Sequence, residues 1–297
     1  MASSERLVMR ILVTGAGGML GKDLLPVLSA GHEVLGLDHA ACDITDEAAV
    51  RRIVAEWKPE LVFNCAAFPD VDGCERDPER AFAVNARGPG NLARAAEAVG
   101  ARLFHVSTDY VFDGSKRTPY LEDDATGPIN VYGQSKLEGE QQVLGGDGER
   151  RGDSRHLVLR TSWLFGVHKP NFIEKVMADA QRLMELKVVE DQISCATWTL
   201  HLAQRIAELA TRDVAGILHV AGSGASTRAE QARYIVGKLG SSVPVKPIRW
   251  SDLPVPAKRP AYSAMGSQRL AELGIAPLPH WRTALDDYLR IRAMVAV

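Results

Sequence analysis

Long apolar runs are missing from this sequence. No stretch of the 297 residues approaches the roughly 18 that a membrane-spanning helix needs, so a bilayer-embedded protein is not expected. The opening MASSERLVMR has polar residues where a secretory leader would carry its apolar core, which argues against export. Neither sign of charge dominates: 35 Lys and Arg face 37 Asp and Glu, for a formal net charge of -2. The basic field of a nucleic-acid-binding protein is therefore lacking, and an anionic small molecule would have to be held by local donors. Cysteine is scarce. The four at positions 42, 65, 74 and 195 form no CxxC pair and no metal-ligand spacing, and read as reduced thiols of a cytoplasmic protein. Internal repeats and low-complexity tracts are also absent.

What is present is an alternation of short β-branched runs with amphipathic helical stretches. Strands are expected at 10–15, 33–38, 61–65, 102–107 and 156–161, with helices near 19–30, 46–57, 78–99 and 131–144. This order predicts βαβ units and a doubly wound, Rossmann-type parallel sheet. Asp77-Pro78 makes a good helix start, with Asp as cap and Pro at the first helical position. KVVE (187–190) and GILHVA (216–221) flank a helix near 198–211 and are expected to extend the sheet. The segment 145–154 reads as a polar surface loop, and from about 223 prolines cluster. The expected organisation is a dinucleotide-binding domain, 1–165 with 186–222, and a small α/β C-terminal substrate-binding lobe, 166–185 with 223–297. That lobe would cap the carboxyl ends of the strands, where open α/β sheets bind ligands.

The first strand runs directly into GAGGMLG, with Gly15, Gly18 and Gly21 at three-residue spacing where a helix opens. Glycines there permit the tight turn, the approach of a pyrophosphate to the backbone and close helix–strand packing, while free N–H groups at the helix start face the phosphates. Asp38 ends the second strand, where a carboxylate can bind the adenosine ribose and favour NAD. No Lys or Arg lies between Glu33 and Val50 to meet a 2′-phosphate. Asp43 and Ile44 follow, where an adenine ring could rest.

Tyr132 and Lys136 are spaced i, i+4, which places phenol and ammonium on one helix face. A neighbouring positive charge would lower the phenol's pKa, so that Tyr132 could protonate a carbonyl while hydride reaches its carbon. Lys136 could also hold the nicotinamide ribose. Ser107-Thr108 ends the preceding strand with hydroxyls that could hold the substrate carbonyl.

Several stretches together resemble the dTDP-4-dehydrorhamnose reductases: VTGAGGMLG (13–21), CDITD (42–46), LVFNCAA (61–67), VNARGPGNLARAA (84–96), HVSTDYVFDG (105–114), PYLEDD (119–124), PINVYGQSKLEGE (128–140), LRTSWLFG (159–166) and KRPAYS (258–263). The resemblance implies reduction of the 4-keto group of a dTDP-4-dehydro-6-deoxy sugar by a catalytic set of Thr108, Tyr132 and Lys136. It implies coenzyme contacts from Met19, Leu20, Ala66, Ala67 and Asn85. Substrate contacts are implied for Asp109, Tyr110, Trp163, Asn171 and Arg259, the last with the diphosphate. It points to NADPH where Asp38 suits NADH, and it leaves a homodimer open.

The chain also departs from the family pattern. Ser194 and Ala196 stand where Gly and Pro are usual, and Pro69 where Thr is frequent, so the sugar is less fixed than the reaction. Some relatives share Mg2+ through an Arg-Glu-Glu-Leu stretch; here RLMEL keeps Glu185 but has Met184, so no metal is expected. A non-catalytic subunit on the same fold would lack the Tyr-Lys pair, which is present. A dehydratase would carry Thr-Asp-Glu, where this chain has Thr108-Asp109-Tyr110; an NAD-retaining epimerase stays open as the alternative.

Overall fold

The computed structural model describes residues 8–145 and 154–295. The first seven residues, and most of the polar loop expected at 145–154, lie outside them. Six strands form one parallel sheet: β1 (Arg10–Thr14), β2 (Glu33–Leu37), β3 (Leu61–Asn64), β4 (Arg102–Thr108), β5 (Leu157–Thr161) and an edge strand, Gly216–His219. From that edge the order is Gly216–His219, β5, β4, β3, β1, β2. The chain thus winds one way from β1 to β2 and the other way from β3 onward. The reversal leaves a crevice above β1 and β3, the switch point at which doubly wound sheets bind ligands.

Alternation along each strand feeds two cores. Ile11, Val13, Phe63, Phe104, Leu157 and Leu159 pack on one face against helices Met19–Ser29 and Thr199–Ala210. Leu12, Val62, Leu103 and Val158 point to the other, against helices Glu47–Trp57 and Gly88–Ala98. Both faces are buried, which is why the strands read as nearly continuous apolar runs. Asp77 caps the helix Pro78–Phe82 through the Arg80 N–H, as its sequence suggests.

Two expectations change. The helix expected over 78–99 is interrupted by a π-helical turn, Ala83–Arg87. Pro89 has no N–H to give the carbonyl four residues back, that of Asn85, so the regular ladder cannot pass through. KVVE does not extend the main sheet: Leu186–Val189 pairs in parallel with Val245–Ile248 in a separate ribbon. Leu186 and Val188 accordingly join a third core with Ile173, Val176, Trp198, Ile235, Trp281 and Tyr288. The edge strand Gly216–His219 does extend the sheet, in register with β5. All four cysteines are free thiols. Among the described residues no helix is long and apolar enough to cross a membrane.

Candidate active site

The crevice at the switch point holds two adjoining cavities, of about 620 and 590 Å3, that share Gly18, Cys65, Ala67 and Lys169 in their walls. The first is lined by Gly15, Asp38, Asp43, Ile44, Ala66 and Arg80, among others. Gly15 has φ +71°, and a Cβ there would lie 2.4 Å from the Ala66 nitrogen; one at Gly21 would lie 2.5 Å from the Gly15 oxygen. A side chain at either position would collide with backbone and open the tight turn where β1 passes into its helix. The glycine-lined groove at a helix start fits a dinucleotide pyrophosphate. Asp38 is exposed on this wall, and its carboxylate also accepts from the Ala41 N–H at 3.1 Å, so it shapes its own turn as well. No cation comes from the second strand or the loop after it; Arg80 and Lys169 reach the cavity from other elements.

The second cavity gathers Met19, Leu20, Thr108, Asp109, Tyr132, Lys136 and Trp163. Asn130 caps the helix Val131–Val143 by accepting from the Gly133 N–H, which aims Tyr132 and Lys136 from its first turns. Burial pushes the Tyr132 phenol well above its ordinary pKa, and the Thr108 hydroxyl offsets this only in part. The expected lowering by Lys136 is therefore not found. Its amine is turned instead to the Val106 carbonyl at 2.6 Å and to His105 at 3.2 Å. Ser107 likewise does not reach for substrate: its hydroxyl donates to Glu140, whose carboxylate is paired with Arg160 at 2.7 Å.

Other expected contacts are placed differently. Asp109 lines the cavity, but Ser194, Ser263 and Thr108 all donate to its carboxylate, at 2.8, 2.5 and 3.1 Å. Ser194, a departure from the family pattern, thus joins the ring of hydroxyls that fixes Asp109 beside Thr108. Asn85 is fully buried and absent from both cavity walls. Its amide clamps Phe68 N–H and C=O and donates to Ser135, tying the loop after β3 to the helix that carries Tyr132 and Lys136. Asn171 caps the helix Phe172–Arg182, accepting from Ile173 and Glu174 and donating to the Gly166 carbonyl. Arg259 forms a bidentate pair with Asp72, at 2.7 and 3.1 Å, and lies over the Trp250 ring. Tyr110 stands edge-on to Tyr132 with ring centres 5.8 Å apart, outside the cavity lining.

The arginine that does face this cavity is Arg228, which sequence reasoning missed. Its guanidinium lies 3.8 Å from the centre of the Trp163 ring and makes no ion pair among the described residues. Burial lowers its pKa to about 10. The available signal was the capping box Thr227-Arg228-Ala229-Glu230, which fixes a helix start and puts Arg228 at its first position. A cation at the positive end of a helix is locally unfavourable, and a bound anion relieves it.

A family model described as the RmlD substrate binding domain matches residues 9–294. The chain belongs to the dTDP-4-dehydrorhamnose reductase family. The dTDP-4-dehydrorhamnose reductases of Mycolicibacterium smegmatis and Streptomyces griseus are each 44% identical to it, over 96% and 94% of this chain and 86% and 92% of theirs. The dTDP-4-dehydrorhamnose reductase of Bacillus anthracis, solved in complex with NADP, matches with a TM-score of 0.90 and 33% identity, over 95% of this chain and 99% of that one. Thermus thermophilus UDP-glucose 4-epimerase, in complex with NAD, shares the fold at a TM-score of 0.75 and 23% identity.

Proposed function

We propose that this protein reduces the 4-keto group of a dTDP-4-dehydro-6-deoxy sugar, converting dTDP-4-dehydrorhamnose to dTDP-L-rhamnose with NADPH or NADH, in the cytoplasm. The observation that carries this reading is the meeting of Thr108, Tyr132 and Lys136 in one cavity that runs into the glycine-lined groove. When bound there, the nicotinamide would supply hydride to the keto carbon. Thr108, which accepts from the Tyr110 N–H, would turn its one hydroxyl hydrogen from Asp109 to the carbonyl oxygen and hold it at the phenol. Tyr132 gives that oxygen its proton, and Lys136 holds the coenzyme ribose. Trp163 walls the sugar, and Arg228, not the Asp72-paired Arg259, offers its donor fork to the diphosphate.

The dehydratase alternative lacks a base, because Tyr110 follows Thr108-Asp109 and the Asp109 carboxylate is held by three hydroxyls. The deciding experiment incubates the purified protein with dTDP-4-dehydrorhamnose and each reduced coenzyme. Loss of nicotinamide absorbance is followed, and the sugar product is identified by NMR. Formation of dTDP-L-rhamnose is expected; no coenzyme oxidation with this or related 4-keto sugars would overturn the reading.

A further inference from the structure

Behind the cavity wall β4 carries a histidine that the reduction does not use. His105 is 0% exposed and lies between Asn64 of β3 and Lys136. Donor counting fixes its protonation. The Ala66 N–H donates to Asn64 Oδ1 at 3.0 Å, so the Asn64 amide oxygen faces Ala66 and its NH2 group faces His105 Nδ1, also at 3.0 Å. Nδ1 must accept. A neutral imidazole that accepts at Nδ1 carries its hydrogen on Nε2, and Nε2 is 3.2 Å from Lys136 Nζ.

An ammonium at Lys136 would set N–H against N–H. An imidazolium would add a second clash, against Asn64. The pattern without conflict has His105 Nε2–H donating to the lone pair of a neutral amine, which itself donates to the Val106 carbonyl. The other titratable groups around Lys136 do not change this count. They are Cys65 at the end of β3, Tyr132 on the same helix, and Glu140, which Arg160 neutralises from β5. Burial raises Cys65 and Tyr132, so both stay protonated, and it lowers Lys136 to about 8.

We propose that His105 is a positioning residue that holds Lys136 as a neutral amine in the coenzyme-free protein, and that coenzyme binding draws Nζ away from His105 and takes up one proton from solvent. The change converts –NH2 to –NH3+; one N–H bond forms and nothing is oxidised or reduced. The cation that the ribose and the phenol require thus arises only when the coenzyme arrives. Until then the protein is spared a buried charge with no counter-ion of its own, a costly arrangement. This inference rests on the reading of the groove as a nicotinamide coenzyme site.

The test is calorimetric titration of the full chain with NADH at pH 8.5, in buffers of different ionisation enthalpy. NADH has no 2′-phosphate to titrate, and pH 8.5 lies about two units above the ordinary imidazole range. More than half a proton taken up per coenzyme is expected. In His105→Gln the carboxamide oxygen can accept from an ammonium, so coenzyme should bind with less than about a tenth of a proton taken up. Nitrogen-15 NMR of histidine in the unliganded wild-type protein should show His105 bare at Nδ1 and protonated at Nε2, whatever the stability of the variant. The opposite tautomer, wild-type binding without proton uptake, or unchanged uptake in His105→Gln would each overturn the proposal. Failure to bind any nicotinamide coenzyme would instead overturn the reading beneath it.

Discussion

At the scale of single residues, the proposed mechanism separates one group that moves a proton from others that hold it in place. Tyr132→Phe removes only the phenolic proton donor. It should lower kcat by about 100- to 10,000-fold while coenzyme affinity, read by fluorescence titration, stays within about threefold. Wild-type turnover in that variant would remove Tyr132 from the reaction. Asp109 supports a prediction about stability. Burial pushes its carboxyl up to about 6 against the donations of Ser263, Ser194 and Thr108, whereas an unfolded-chain Asp titrates near ~3.9. Between those values the folded protein binds more protons than the unfolded chain, so stability falls as pH rises and the penalty is complete above about 6. A shift of about two units corresponds to roughly 3 kcal/mol. Serine hydroxyls can accept as well as donate, so Asp109→Asn can keep its partners without the charge. The variant should be at least as stable as wild type at pH 7.5 and gain nothing at pH 4. Urea midpoints across that range read the difference, and a loss above about 2 kcal/mol at pH 7.5 would show that the charge itself is needed.

At the scale of elements, the catalytic helix and the coenzyme loop are held by one side chain. Asn85 sits in the π turn forced by Pro89, and its amide satisfies both backbone groups of Phe68 while reaching Ser135 between Tyr132 and Lys136. Asn85→Ala would strand the Phe68 N–H and C=O. Each buried unsatisfied group costs about 1–3 kcal/mol, so a loss of roughly 2–4 kcal/mol is expected, with a raised KM for coenzyme. A variant with unchanged stability and unchanged coenzyme KM would leave this tie without a role. The same elements show what the sequence made legible. Strand positions were readable because both sheet faces are buried, and β4, expected over 102–107, runs Arg102–Thr108. The glycine cradle and the Tyr132–Lys136 pair were readable because each is local, within one turn of helix or loop. What escaped depends on packing between distant segments. Arg259 finds Asp72 across 187 positions, and Leu186–Val189 leaves the sheet to pair with a strand nearly sixty residues further on. Arg228 meets Trp163 only once segments distant in the sequence have packed together. Pro89 did announce the break in the helix over 78–99, and the helical periodicity on either side concealed it.

At the scale of the whole molecule, the two joined cavities distinguish an enzyme that consumes its coenzyme from one that borrows it. An epimerase returns the hydride to the same sugar and can keep its nicotinamide bound throughout, whereas a reductase must release oxidised coenzyme in every cycle. The groove at the glycine turn is open along its adenosine side, with Asp38, His39 and Ala40 all exposed. An acid–base pair for work on adjacent sugar carbons is lacking, since Tyr132 faces Thr108 and an Asp109 already held by hydroxyls. Protein purified without added coenzyme should therefore be largely empty, and each sugar reduced should consume one reduced nicotinamide. Both coenzymes should serve. Asp38 favours the free ribose of NADH, while Arg80 and Lys169 line the same cavity and can meet the phosphates of NADPH. The ratio of kcat/KM for the two should stay below ~1000, a difference of roughly 4 kcal/mol. Absorbance of the reduced nicotinamide, followed beside product formation with each coenzyme, measures stoichiometry and preference together. Turnover without net oxidation, or tightly held NAD in active protein, would assign the chain to the coenzyme-retaining class, and a preference beyond that ratio would show that one wall of the groove alone selects the coenzyme.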